Sequence, residues 1–301
     1  MFTFICPHCD IATRVADDLA GRRGRCIGCG ELVLLPGSPI DAAAVARRRL
    51  LARRVAAVTI GLLLIGGLGW TATQLVRAGG ARMRTLAAER LRGRSMRNLE
   101  KIAEALNAYS LDHGRYPPPV TVDAAGMPLH SWRVTLLPYL DQDELFNSID
   151  RSKPWDDPSN MRAGWNMPAI YRHPDSNLGG YSTPAYHIIA GPGTLFPPGG
   201  QPLGPDDVVD DPAQTILVAE AMPMTSGNGS WMEPGDLDYA VMSGDLTAGS
   251  LSEIGGLTDG GACLATVDGR THFLRDDVRP STVRALITPA GGERLPSDVL
   301  D

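Results

Sequence analysis

Residues 55–76, VAAVTIGLLLIGGLGWTATQLV, form an uncharged run of 22 residues bracketed by Arg53, Arg54 and Arg77. As a helix rising about 1.5 Å per residue it would extend about 33 Å, close to the bilayer core of about 30 Å. A cleaved signal peptide would begin near the N-terminus, whereas 54 residues precede this run. A helix of a water-soluble core would carry polar residues at a 3.6-residue period. Here only Thr59, Thr71, Thr73 and Gln74 interrupt, mostly near one end. The expectation is one transmembrane helix at 55–76, with the lipid bilayer as a partner and Trp70 toward the outer interface.

Charge divides the chain in the same place. Residues 1–101 hold 17 Lys+Arg against 7 Asp+Glu, a balance of +10, and residues 102–301 hold 11 against 27, a balance of -16. The arginines crowd the apolar run: Arg47, Arg48, Arg49, Arg53 and Arg54 before it, Arg77, Arg82 and Arg84 after it. Such placement reads as topology and headgroup anchoring, and the acidic distal part repels nucleic acid, so a nucleic-acid partner is not expected.

Four of the five cysteines precede the run in two Cys-x-x-Cys pairs, Cys6 with Cys9 and Cys26 with Cys29. Two such knuckles 16 residues apart are able to place four thiolates around one ion, with Gly30 permitting a tight turn after the second. A thioredoxin-like redox site would want one pair in a βαβ setting, which so short a segment lacks. Residues 1–36 therefore read as a zinc ribbon with a structural Zn2+ on Cys6, Cys9, Cys26 and Cys29, because a module this small needs metal to fold. Thiols meant for metal are safest in a reducing compartment. That places the N-terminus in the cytoplasm and residues 77–301 beyond the cytoplasmic membrane, with 37–54 as a basic linker.

From Ala81 the pattern is helical again, through Met83, Leu86, Leu91, Leu99, Ile102, Leu106 and Tyr109, with a fresh start capped by Ser95. Gly79-Gly80 would loosen this helix, and Gly114 with Pro117-Pro118-Pro119 would end it. Short strands are expected within 130–140, 185–193, 214–221 and 262–274. Asp268-Gly269 supplies the tight loop of a hairpin in the last. A long helix on an antiparallel sheet is an α+β arrangement.

Several segments fall together in a recognisable order: NLEKIAEALNAYSLDHGRYPPP (98–119), PLHSWRVTLLPYLDQDELFNSID (128–150), PWDDPSN (154–160), GPGTLF (191–196), TILVAE (215–220), WMEPGDLDY (231–239), VDGRTHFL (267–274) and VRALITPAGGE (283–293). From about residue 95 the chain resembles the bacterial domain-of-unknown-function family 1559, abundant in planctomycetes and related to the pilin-like G and H components of type II secretion. The resemblance implies a pilin-like extracytoplasmic domain. Many family members begin with a cleaved pilin-type leader, and here the ribbon and arginine linker stand in its place. The residues 2–36 likewise resemble the short zinc ribbons at the N-termini of many bacterial membrane proteins. Where the family often shows Cys-Pro-Ser, this chain has His173-Pro174-Asp175; where it has His-Gly-Gly, this chain has Asp259-Gly260-Gly261, leaving Cys263 as a lone, buried thiol.

Chemistry beyond the ribbon is sparse. His8, His113, His130, His173, His187 and His272 fall in no metalloprotease spacing, and no nucleophile elbow, Walker loop or dinucleotide fingerprint occurs. Asp156, Asp157 and Asn160, or Asp236 and Asp238, offer hard oxygen ligands for Ca2+, against turn capping by solvated aspartates. The expectation is a non-catalytic single-pass protein of the bacterial inner membrane, serving protein interaction or envelope structure with an unnamed protein partner. Two alternatives stand beside it: a transmembrane sensor or regulatory anchor whose ribbon recruits a cytoplasmic partner, and an envelope-polymer enzyme. The last requires several of His130, Asp156, Glu220 and Asp236 to converge in one pocket.

Overall fold

The structure, a computed structural model, describes residues 1–37, 39–175, 182–199, 201–222, 230–246, 252–296 and 298–300, with side chains outside 39–46 and scattered positions between 64 and 81. The chain divides into two compact units, Met1–Arg82 and Met83–Asp301.

The first unit opens with two small hairpins. Strands β1 (Phe2–Ile5) and β2 (Ala12–Val15) pair antiparallel with Phe2 opposite Val15, and β3 (Arg23–Arg25) and β4 (Leu32–Leu34) pair with Arg25 opposite Leu32. Alternation turns Phe2 and Phe4 inward and Thr3 and Ile5 outward. The inward residues make a core of only Phe2, Phe4, Cys6, Cys26, Val33 and Leu35. So little apolar burial cannot hold the fold alone.

Helix α1 (Pro39–His113) follows, 75 residues without a break, so Gly79-Gly80 does not interrupt it. Residues 55–76 lie inside it. Among the described residues no helix is long and apolar enough to cross a membrane, and the expected transmembrane helix is corrected on that finding. Ten side chains of the stretch fall outside the described residues. Within it the Thr59 hydroxyl bonds back to the Val55 and Ala56 carbonyls, so its one polar group near the start is satisfied by the helix itself.

In the second unit α1 buries Ser95, Leu99, Ile102, Ala103 and Leu106, a stripe at helical spacing. Each large apolar member contributes about 1.5–3 kcal/mol by leaving water. Met83 and Leu86 are exposed, so the stripe starts later than their spacing suggests. Ser95 caps nothing: the helix passes through it. The helix stops where expected, at His113, with Gly114 at φ 73 and its N–H on the Ser110 carbonyl.

Next come the hairpin β5 (Val120–Val122) and β6 (Pro128–Ser131), then α2 (Trp132–Thr135), α3 (Asp143–Ser148) and α4 (Met161–Gly164). Residues 130–140, expected as strand, thus turn helical after Ser131, whose side chain accepts from the Arg133 N–H. Strands β7 (Tyr186–His187), β8 (Ile189–Ala190), β9 (Ile216–Glu220), β10 (Leu237–Asp238), β11 (Gly261–Thr266) and β12 (Thr271–Arg275) and helix α5 (Pro280–Ala285) complete the unit.

The main sheet runs β12-β11-β9-β7, antiparallel throughout, while β8 and β10 pair parallel beside it. Cys263 and Ala265 of β11 face the core shared with α1; Ala262 and Leu264 face a second core with Val283, Leu286 and Ile287 near α5. The fold is α+β, a long helix with antiparallel sheets, and both faces of the central strands are covered. The β11–β12 connection closes as expected at Asp268-Gly269, but only Gly269 takes positive φ (85°). The Thr266 N–H donates to the Arg270 carbonyl at 3.0 Å, the geometry of a turn followed by a glycine bulge rather than a two-residue loop.

Candidate metal centre and buried polar networks

Each ribbon hairpin carries its Cys-x-x-Cys at the turn, and the two turns are built alike. The Asp10 N–H donates to the Cys6 carbonyl at 3.0 Å and the Gly30 N–H to the Cys26 carbonyl at 2.9 Å, with Asp10 at φ 58 and Gly30 at φ 76. The backbone N–H of His8 points at Cys6 Sγ and that of Gly28 at Cys26 Sγ, each at 3.4 Å. His8 contributes this N–H. The four sulfurs lie within 4.8 Å of one another, Cys6 to Cys29 at 3.8 Å and Cys9 to Cys26 at 3.6 Å, and no disulfide joins them. All four expected ligands therefore come together in a set able to hold a metal ion. The backbone N–H groups of Cys29 and Gly28 lower the Cys26 thiol to about 6. Although the Ile11 backbone pulls Cys9 down, burial and the neighbouring thiols push it up to about 12. Four thiols this close do not ionise together unless a cation replaces their protons.

The second unit holds two buried polar networks. In one, Glu220 at the end of β9 is fully buried and accepts from the Ser95 hydroxyl at 2.7 Å, the Thr258 hydroxyl at 2.8 Å and the Cys263 N–H at 3.1 Å. His173 Nε2 lies 3.0 Å from the same carboxylate. The Asp175 N–H donates to His173 Nδ1 at 3.2 Å, which leaves the ring proton on Nε2. Because Ser95 gives its only proton to Glu220, it accepts from the Tyr186 hydroxyl at 3.0 Å, and Asn98 donates to that hydroxyl at 3.2 Å. Burial works against the Glu220 charge, but His173, Ser95 and the Cys263 N–H outweigh it and hold the carboxyl below its ordinary range. Cys263 is the buried residue expected; burial first, then Glu220, pushes its thiol up, so it is a poor nucleophile.

The other network centres on an ion pair. Arg133 and Asp236 are buried, with Arg133 Nη2 on Asp236 Oδ1 at 2.9 Å. Arg133 also donates to Ser131 Oγ at 2.9 Å, the Tyr186 carbonyl at 2.6 Å and His187 Nδ1 at 3.1 Å. Asp236 further accepts from the Trp132 indole N–H at 3.0 Å and the Ile188 N–H at 3.3 Å. His187 Nε2 lies 3.3 Å from the Pro184 carbonyl, so that nitrogen carries the proton and Nδ1 receives the Arg133 hydrogen bond. Burial pushes the His187 imidazole below its ordinary range, in keeping with a neutral ring. Tyr171 stacks on Trp231, meets Trp132 edge-on, and donates its hydroxyl to the Arg133 carbonyl at 2.9 Å.

Of the four residues whose convergence would mark an enzyme, Glu220 and Asp236 belong to these separate networks. His130 is buried, with its imidazole pushed down by burial, and Asp156 is exposed. The calcium candidates are occupied otherwise. Asp157 accepts from the Ser159 hydroxyl and N–H, which hold it below the usual carboxylate range. Asn160 ties together the backbone of Asp150 and Pro154. Asp236 is paired with Arg133, and Asp238 accepts from the Ala240 N–H at 2.9 Å. Among the described residues, the four cysteines are the one group of three or more such side chains gathered closely enough for a metal.

Ser131, Arg133, Tyr186, His187, Glu220 and Asp236 of the networks lie in the segments SWR, AYH, TILVAE and EPGD. The signal that would have found them is a charge set inside an apolar run: Arg133 between Trp132 and Val134, Glu220 between Ala219 and Ala221. Residues 92–240 match the family described as Protein of unknown function (DUF1559), which supports the resemblance drawn from the segments between 98 and 239. No curated protein and no solved structure matches the chain.

Proposed function

Starting from the match of residues 92–240 to a family of unknown function, we propose that the chain is a non-catalytic, two-module interaction protein. A ribbon closed on a structural Zn2+ recruits a protein partner, and the α+β domain gives a rigid scaffold for pilin-like, envelope- or secretion-related assembly. The observation that carries this reading is where the polar residues within the matched stretch 92–240 lie. Arg133, His187, Asp236, Ser95, Tyr186 and Glu220 are buried against one another, within the core. A site for turnover needs such groups aimed into a cleft that a substrate enters; here most of their donors and acceptors are spent on each other and on neighbouring backbone groups.

Zinc is favoured for the ribbon by geometry and ligand type. Four thiolates held tetrahedrally at about 2.3 Å from Zn2+ stand about 3.8 Å apart; Cys9 to Cys26 is 3.6 Å and Cys6 to Cys29 is 3.8 Å, with all four sulfurs within 4.8 Å. All four positions are filled by protein, which is the pattern of a structural site. The placement of the two modules on opposite membrane faces rested on a span that no described helix supplies, and it forms no part of this reading.

The test is a capture experiment with the full chain as bait, beside a variant with Cys6 and Cys9 replaced by serine. The purified chain should carry one zinc and retain a defined partner that the variant loses. A chain that binds no zinc, or a partner held equally by both baits, would contradict the proposal.

A further inference from the structure

The segment PWDDPSN contributes two residues that the buried networks leave unused. Trp155 and Asp156 line a half-open cavity of about 440 Å3 together with Met161, Trp165 and Ser230. Trp165 is 71% exposed and Met161 49% exposed, so two large apolar side chains meet solvent side by side at the cavity. Trp155 is half-buried and packs on the main core, so its indole is held in place from behind.

The charges around the cavity are uneven. Lys153 sits 3.8 Å from Asp150 and 3.7 Å from Asp157. Asp156 makes no ion pair among the described residues, and no lysine or arginine is among the described residues that line the cavity. Elsewhere the chain covers aromatic faces with its own cations: Arg133 over Trp132, Arg92 over Phe273, Arg151 over Phe146 and Arg284 over Tyr239. Neither Trp155 nor Trp165 is covered in this way among the described residues. Residues 102–301 carry a balance of -16, 11 Lys+Arg against 27 Asp+Glu, so the surrounding field also favours positive charge.

Two open indole faces, one uncompensated carboxylate and a cavity in the range of about 300–1,000 Å3 typical of small-molecule sites suit one ligand class. We propose that this cavity binds a small organic cation of the quaternary ammonium type. Trp155 and Trp165 face its charge, Asp156 neutralises it, and the Ser230 hydroxyl, which accepts from the Met232 N–H at 3.2 Å and keeps its own proton, donates to a polar tail. The proposal stands apart from the interaction role above, since it needs neither the ribbon nor a protein partner.

The experiment is a titration of the full chain with choline chloride, read by tryptophan fluorescence and calorimetry against matched sodium chloride. Two parallel titrations use 3,3-dimethylbutanol, the uncharged isostere of choline, and glucose. Saturable binding of choline is expected, at least about tenfold weaker for the isostere because the cation–π attraction is gone. Trp165→Ala and Asp156→Asn should each weaken it by about tenfold or more without moving the thermal midpoint. Trp165 and Asp156 are exposed, so neither change removes core packing. Absence of saturable choline binding, equal binding of the isostere, preference for glucose, or full binding by both variants would each overturn the proposal.

Discussion

The ribbon and the distal domain solve the problem of stability by different means. The ribbon buries six apolar or thiol side chains, two of them members of the four-cysteine cluster able to hold a metal. The distal domain buries Trp132, Trp231, Tyr116, Tyr171, Tyr186 and Phe196 among many aliphatic residues, and then places an arginine, three carboxylates and three histidines in the same interior. In the first, on the reading proposed above, a single ion would replace a core that the length of chain cannot supply. In the second, the core is large enough to absorb the desolvation of charged groups, provided each is paired. Polar residues therefore mean opposite things in the two modules: ligands gathered for an ion in one, internal fasteners between helix, sheet and loops in the other.

The sharpest way to break this contrast is to remove one ligand. Cys26→Ser should unfold the ribbon altogether, seen as collapse of its backbone amide dispersion in NMR, while the unfolding transition of the distal domain stays where it was. Next in size is Asp236→Ala, which leaves Arg133 buried without its counter-charge and should cost about 3–5 kcal/mol in urea unfolding of the distal domain. Replacing both partners, Arg133→Met with Asp236→Leu, should recover most of that loss. If the double variant is no better than the single one, the network is more than a paired charge.

Much of this contrast was legible in the sequence, and the unread part has physical causes. Cys6, Cys9, Cys26 and Cys29 announce themselves by local spacing alone, and the structure brings all four together. Glycine 114 and the prolines after it marked the helix end, because a positive φ and a missing donor act locally. The pairings Arg133–Asp236 and Ser95–Glu220 span 103 and 125 residues, and no local pattern encodes them. The apolar runs ILVAE and GACLAT gave their strands but not their faces, since both faces are buried and the two-residue alternation vanishes. Residues 130–140 misled for a related reason: Trp132, Val134 and Leu136 alternate as a strand would, yet Ser131 starts a helical turn there. The apolar run at 55–76 was read as a span on composition, and the described part of α1 contains no window that meets that demand.

A smaller effect separates the modules by pH. His187 and His130 are held below the ordinary imidazole range, each chiefly by burial. The unfolded chain takes up their protons near pH 6.5, before the folded chain does. The stability tied to neutral rings is thus fully present above pH 6.5 and is lost as pH falls toward the folded values. Glu220, held below its ordinary range, adds to the loss as pH drops further through its folded value. The unfolding free energy of the distal domain, read from urea titrations, should fall between pH 7 and pH 5 by at most about 1.4 kcal/mol per pH unit for each titrating ring. His187→Gln should flatten that slope. Smallest of all is Arg275→Ala: its two hydrogen bonds to Asp277 lie in solvent, and the change should leave the urea midpoint within experimental scatter.

The separate origin of stability in the two modules is tested most directly by differential calorimetry of the full chain before and after a zinc chelator, with metal content measured alongside. One zinc per chain should leave with the chelator, the ribbon's contribution should vanish, and the distal transition should keep its midpoint and enthalpy. A distal transition that shifts with the metal, or a chain that never held metal and still shows a folded ribbon, would contradict the account.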